Sequence, residues 1–203
     1  MSQIRAVIFD LIGVLVDSCL KDEKSRKELA KFLKRDPKLV NLAWKLYWPP
    51  LRIGKISERE FWELFLGCVG SKKNVKDVMR FVRKDLRLKK ATLELAKKLK
   101  ERKLKLAILS NNAREWVEYE RKAFELERYF DLILNSGELG IAKPDPRIYK
   151  LAAKLLKCKA SECVFIDDKK RNVEFASLVG MHAIQFRSAK QLVRELRKLG
   201  LKL

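Results

Sequence analysis

The stretch Ile4–Ser18, IRAVIFDLIGVLVDS, decides how the chain is read. An apolar run ends on one carboxylate, Asp10. Leu11, Ile12 and Gly13 follow, and a second apolar run closes on Asp17. A short, continuous apolar run predicts a strand buried on both faces, the signature of a parallel sheet. Burial resists charge, so a carboxylate that ends such a strand needs a reason to be there. In an open α/β sheet, ligands bind at the carboxyl ends of the strands. Asp10 is therefore the first candidate for chemistry.

Further strands are predicted by LKLAILS (Leu104–Ser110), DLILN (Asp131–Asn135), CVFIDD (Cys163–Asp168) and HAIQF. Helical spacing separates them, in AREWVEYERKAFEL, in DPRIYKLAAKLLK with Asp145 as N-cap and Pro146 at the first helical position, and in KRNVEFASLVG. A last helix, AKQLVRELRKLG, follows HAIQF. Repeated βα units predict a doubly wound, Rossmann-like α/β fold with a parallel sheet of about five strands. Lys21–Lys90 differs, with several amphipathic helical segments and no convincing strand. There Pro49 and Pro50 are expected to break one helix, and Ser57 with Glu60 forms a capping box at the start of another. The expected organisation is an α/β core of 1–17 and 89–203 with a helical insert of 18–88.

Composition sets the bounds. With 203 residues and 47% apolar content the chain can bury a sizeable core. No apolar run reaches the roughly 20 residues that span a bilayer, and the N-terminus enters a strand directly, so a cytoplasmic protein without membrane association is expected. Cys19, Cys68, Cys158 and Cys163 fit no metal or CxxC spacing and read as reduced thiols. The formal net charge is +21. Basic residues are spread over nearly every helix and mixed with acidic ones, which favours a surface that attracts small anions over a nucleic-acid partner. The oligomeric state is not legible.

Four polar features fall at predicted strand ends: Asp10; Ser110 with Asn111 and Asn112; Lys143 in GIAKPDP; and the pair Asp167 and Asp168. Any one alone could be a helix cap or a turn. All four at one sheet edge are harder to dismiss, and adjacent carboxylates are costly without a cation. In these motifs the chain resembles the haloacid dehalogenase (HAD) superfamily of hydrolases, with a helical cap inserted after the first strand. Within it the SNN, KPDPRIY and FIDD segments look most like sugar-phosphate phosphatases and the phosphatase domains attached to epoxide hydrolases. The resemblance implies that Asp10 is a nucleophile forming an aspartyl intermediate, with Ser110 and Lys143 as catalytic partners. It implies that Ser110, Asn111 and Lys143 bind a phosphoryl group of a small anionic substrate. It also implies Mg²⁺ held by Asp10, the backbone carbonyl of Ile12, Asp167 and Asp168.

Ile12 departs from the family pattern. Phosphatases of this type usually carry there a second Asp that protonates the leaving group, work an isoleucine cannot do. Three readings follow: a phosphatase of reduced activity, or one whose leaving group needs no acid; a 2-haloacid dehalogenase-like carbon–halogen hydrolase; or a catalytically impaired binding or scaffold member. The retained acidic pair favours the first. Trp44, Trp48, Arg52 and Lys55 lie in the helical insert, where they are candidates to face a substrate, but aromatics at helical spacing are assigned to its core and none is taken as a site residue. His182 reads as structural, Asp17 as part of the passage into the insert, and Asn172 as a brace for the Asp167 loop.

Overall fold

The computed structural model describes residues 3–203. Strand β1 (Ala6–Phe9) lies at the centre of a five-stranded parallel sheet, between β4 (Lys105–Ser110) and β6 (Cys163–Asp167). The outer strands are β5 (Leu132–Asn135) beside β4 and β7 (His182–Gln185) beside β6, giving the order β5-β4-β1-β6-β7. All four residues of β1 are buried because both faces of the sheet are covered. Side chains alternate along a strand. Val7 and Phe9 accordingly join a cluster with Leu95 and Leu99 of α5 (Lys90–Glu101) and Leu192 and Leu196 of α10 (Ala189–Lys198). Ala6 and Ile8 join the opposite cluster, with Ile148, Tyr149 and Ala152 of α8 (Pro146–Leu155) and Ala176 of α9 (Lys170–Leu178). A doubly wound α/β sheet results, in which the strand order reverses at β1. The carboxyl end of β1 is thus the crevice where such folds bind ligands.

Four helices occupy the chain between β1 and α5: α1 (Lys27–Leu33), α2 (Pro37–Leu51), α3 (Glu58–Cys68) and α4 (Val75–Asp85). Their apolar faces meet around Phe61, Trp62 and Phe65, in a cluster separate from the two beneath the sheet. The capping box at Ser57 and Glu60 forms as the sequence predicts, as does the Asp145 cap of α8. Pro49 and Pro50 do not end α2 before them. They sit inside its last turn, and the helix stops one residue later at Leu51. Each proline lacks the N–H that would bond the carbonyl four residues back, and the helix runs only one residue beyond the second of them.

The expectation of no strand in this region needs correction. Arg87–Leu88 forms β3, paired antiparallel with β2 (Val16–Asp17). The ribbon forms because the chain leaves and re-enters the sheet domain at adjacent points. It is tied further by Lys89, whose N–H donates to the Leu15 carbonyl at 2.8 Å and whose ammonium lies 3.0 Å from Asp17. All four cysteines are free thiols. Among the described residues no helix is long and apolar enough to cross a membrane.

The helical segment rests on the sheet domain through Trp116 and Ala113, which belong to its apolar cluster, and through a close backbone approach at Gly54. Gly54 has φ +71°, and a Cβ there would collide with the Gly137 carbonyl oxygen. Gly54→Ala should therefore cost at least about 1 kcal/mol of unfolding free energy in urea titration. Gly67→Ala, on the exposed side of α3 with open space around it, should be neutral or stabilise by up to about 1 kcal/mol. Equal effects of the two changes would show that the Gly54 contact does not hold the segment in place.

Candidate active site

Asp10 follows β1 directly, and its N–H donates to the Ile166 carbonyl at 2.8 Å, which continues the sheet ladder. The chain then turns sharply. Gly13 donates to the Val16 carbonyl at 2.7 Å and adopts φ +100°. A Cβ on Gly13 would lie 2.5 Å from Asp168 Oδ2, so only glycine lets the turn pass this close to the second acidic strand end.

Lys143 joins the strand ends. It is 1% exposed, and its ammonium lies 2.8 Å from Asp10 Oδ1 and 2.7 Å from Asp167 Oδ2. Asn111 fixes its position: the side-chain oxygen accepts from the Lys143 N–H at 2.8 Å, and the amide donates to the Lys143 carbonyl at 2.7 Å. Both polar ends of the Asn111 side chain are thus occupied by the Lys143 backbone. Asp167 is braced by the Asn172 amide at 2.9 Å and by the Lys169 N–H at 2.8 Å. No hydrogen bond reaches Asp10 Oδ2 among the described residues, so that oxygen is open to a reaction partner or a cation.

The Lys143 ammonium reaches two of the three carboxylates, and Lys21 approaches the third, Asp168, only at 3.9 Å. Burial, followed by the Asp167 charge, pushes the Asp10 carboxyl up to about 7 against the pull of Lys143 and Lys169. Burial and Asp167 raise the Asp168 carboxyl as well. Burial works against the Lys143 ammonium, but Asp10 and Asp167 outweigh it and hold its pKa above the ordinary lysine value. Carboxylate oxygens of Asp10, Asp167 and Asp168 lie within 4.8 Å of one another. Asp168 Oδ1 is buried with no hydrogen-bond partner. Oxygen ligands, excess negative charge and an orphaned carboxylate oxygen together suit a hard divalent cation. The Ser110 hydroxyl, at the end of neighbouring β4, is also buried without a partner, as a group meant for a ligand would be.

The structure thus brings Asp10, Lys143, Asp167 and Asp168 into one cluster, with Ser110 and Asn111 at the adjoining strand end. Ile12 lines a cavity of about 320 Å³ between the sheet domain and the helical segment, shared with Asn111 and Lys169. Several residues of this cavity escape a reading of the sequence. Trp44, Trp48 and Trp116 line it; Trp48 stacks on both others, at 5.0 Å from Trp44 and 5.8 Å from Trp116 between ring centroids. Arg26 lies over the Trp44 ring at 4.9 Å and is held by Asn41. Glu120, on α6 (Arg114–Ala123), also lines the cavity and is 2% exposed. Burial pushes its carboxyl up to about 8 against the hydrogen bond from Asn112, and the Asp10 charge adds to the rise. A signal for Glu120 does exist in the sequence: it falls on the apolar stripe of α6, four residues after Trp116 and three after Val117.

The family model of haloacid dehalogenase-like hydrolases matches residues 4–180. A phosphorylated carbohydrates phosphatase of Thermotoga maritima is 29% identical over 89% of this chain and 83% of its own. An (S)-2-haloacid dehalogenase 4A of Burkholderia cepacia is 25% identical over 91% and 84%. A bifunctional epoxide hydrolase 2 of Rattus norvegicus is 29% identical over 97% of this chain, which spans only 39% of that enzyme. A HAD family enzyme of Bacteroides thetaiotaomicron, solved with magnesium and inorganic phosphate, shares the fold with a TM-score of 0.72, at 24% identity over 91% of this chain and 94% of that one. The chain belongs to the haloacid dehalogenase-like hydrolases.

Proposed function

We propose that the protein is a Mg²⁺-dependent phosphomonoesterase that acts on a small phosphorylated metabolite through an aspartyl-phosphate at Asp10. The observation that carries this reading is the cluster of three carboxylates at the strand ends, two of them paired with the buried Lys143, with orphaned oxygens at Asp168 and Ser110. A carbon–halogen hydrolase attacks an uncharged carbon and expels a halide, so its reacting centre has no need of a cation. The phosphatase relative and the magnesium-and-phosphate complex of the structural neighbour support the same choice. The dehalogenase relative and the absence of an acid at Ile12 keep carbon–halogen hydrolysis as the competing reading.

The side chains divide the work. Asp10 attacks phosphorus through a carboxylate oxygen, the bond to the leaving oxygen breaks, and water later attacks the phosphorus of the aspartyl-phosphate to regenerate Asp10. The Lys143 ammonium favours the ionised form of Asp10 and offsets phosphoryl charge. The Ser110 hydroxyl donates to a phosphoryl oxygen. Asn111 acts by holding Lys143 in place. A divalent cation, held by Asp10, the Ile12 carbonyl, Asp167 and Asp168, supplies when bound the positive charge that lets an anionic phosphoryl group approach an anionic nucleophile. The helices of 18–88 serve as a cap that excludes water and selects the leaving group through the cavity lined by Trp44, Trp48 and Trp116.

A side-by-side screen of phosphate monoesters and 2-haloacids, with and without Mg²⁺, tests the reading. Mg²⁺-dependent phosphate release is expected, and halide release alone would overturn it. Asp10→Asn should lower turnover at least about 10³-fold in a variant whose fold is confirmed by circular dichroism, because no other carboxylate occupies its position. In calorimetry, Asp167→Asn combined with Asp168→Asn should weaken Mg²⁺ binding by more than about tenfold. Unchanged affinity would place the cation elsewhere.

A further inference from the structure

A reaction that expels an alkoxide needs a proton, and Ile12 cannot give one. Another acid faces the same cavity. Glu120 and Ile12 both line it, together with Asn111 and Asn112 of the loop that follows Ser110. Glu120 is held in a defined way. The Asn112 side-chain oxygen accepts from the Ala113 N–H at 3.0 Å, which leaves the Asn112 amide to donate to Glu120 Oε2, also at 3.0 Å. Oε2 is therefore an acceptor, and a proton on this carboxyl belongs on Oε1, which no hydrogen bond reaches among the described residues. Among the described residues no salt bridge neutralises Glu120: of the cations along the cavity, Arg83 pairs with Glu58 at 2.8 Å, Lys21 approaches Asp17 and Asp168, Arg26 is held by Asn41 and Trp44, and Lys169 acts on Asp10. Glu120 is thus a buried carboxyl on a wall of the cavity it shares with Ile12, with one oxygen fixed by Asn112 and the other without a partner among the described residues.

We propose that Glu120, oriented by Asn112, is the general acid that protonates the leaving group in place of the acid absent at Ile12. The inference rests on the phosphatase reading above. As Asp10 bonds to phosphorus, the bond from phosphorus to the leaving oxygen breaks and its electron pair stays on that oxygen. The oxygen takes the proton from Glu120, giving the alcohol and a Glu120 carboxylate. In the second step water attacks phosphorus and the electron pair of the bond to Asp10 returns to the Asp10 carboxylate. The proton lost by water restores neutral Glu120. The raised affinity of Glu120 for its proton fits both steps, because a general acid works best when its pKa is near the operating pH.

Glu120→Gln tests this, since glutamine keeps the size of the side chain and an oxygen for the Asn112 amide but carries no transferable proton. The assay compares kcat/KM on an alkyl phosphate, glycerol phosphate, with that on p-nitrophenyl phosphate, whose leaving group departs without protonation. Glu120→Gln should lose about 10²-fold or more on the alkyl ester and only a few-fold on the aryl ester. Adding Ile12→Asp to Glu120→Gln should restore part of the alkyl activity, because it returns a carboxyl to the other wall of the pocket. Equal losses on both esters would mark Glu120 as structural and overturn the inference, as would unchanged alkyl activity in a folded variant. If the wild-type chain releases phosphate from neither ester, the phosphatase reading fails and this inference falls with it. If the wild type is active but the variant shows no leaving-group-selective loss, only the inference on Glu120 fails.

Discussion

The site depends on one buried ammonium. Lys143 reaches Asp10 and Asp167 at once, from the loop after β5 to the ends of β1 and β6. Placing a charge in the interior costs several kcal/mol unless its partners surround it. Here the partners surround it on two sides and Asn111 clamps its backbone. The arrangement still leaves an excess of negative charge, spread over Asp10, Asp167 and Asp168. That imbalance is the physical basis for expecting a divalent cation, and it explains the tight turn at Gly13. A side chain there would displace the Asp168 carboxylate and open the cluster.

The sheet and the helical segment contribute different things to the proposed reaction. The sheet fixes the reacting groups, because parallel strands in register bring their carboxyl ends to one edge: Phe9 pairs with Ile108 on one side and Ile166 on the other. The helical segment supplies the wall opposite. Its tryptophans stack on Trp116 of the sheet domain, so the two parts share one aromatic cluster. The β2–β3 ribbon carries both chain crossings, and movement of the segment relative to the sheet has only this narrow connection to bend.

Much of this was legible in the sequence. Continuous apolar runs such as AVIF and CVFID mark strands covered on both faces, and the polar residues that end them stand out by contrast. That contrast is local, so Asp10, Ser110 and Asp167 could be found without a structure. Residues whose role depends on a contact far along the chain could not. The stacking of Trp48 on Trp116 and the Asn112–Glu120 pair are set by how helices pack, and helical spacing alone cannot tell a core tryptophan from a cavity wall. β3 was missed because two residues carry no periodic signal, and its partner lies some seventy residues earlier. Pro49 and Pro50 predict a break, and α2 does stop at Leu51, but both prolines are accommodated inside its last turn, which residue type alone does not show. Glu120 interrupts the apolar stripe of α6, but that spacing alone does not show that it faces a cavity.

The central claim is that Asp10 carries the phosphoryl group between substrate and water. Acid quench during turnover of a phosphate ester with Mg²⁺, followed by borohydride reduction, converts an aspartyl-phosphate to homoserine, and mass spectrometry of the peptides locates it. The account predicts homoserine at position 10, absent in Asp10→Asn and absent without substrate. Homoserine at position 167 or 168, or none at any position under conditions where turnover proceeds, would contradict it.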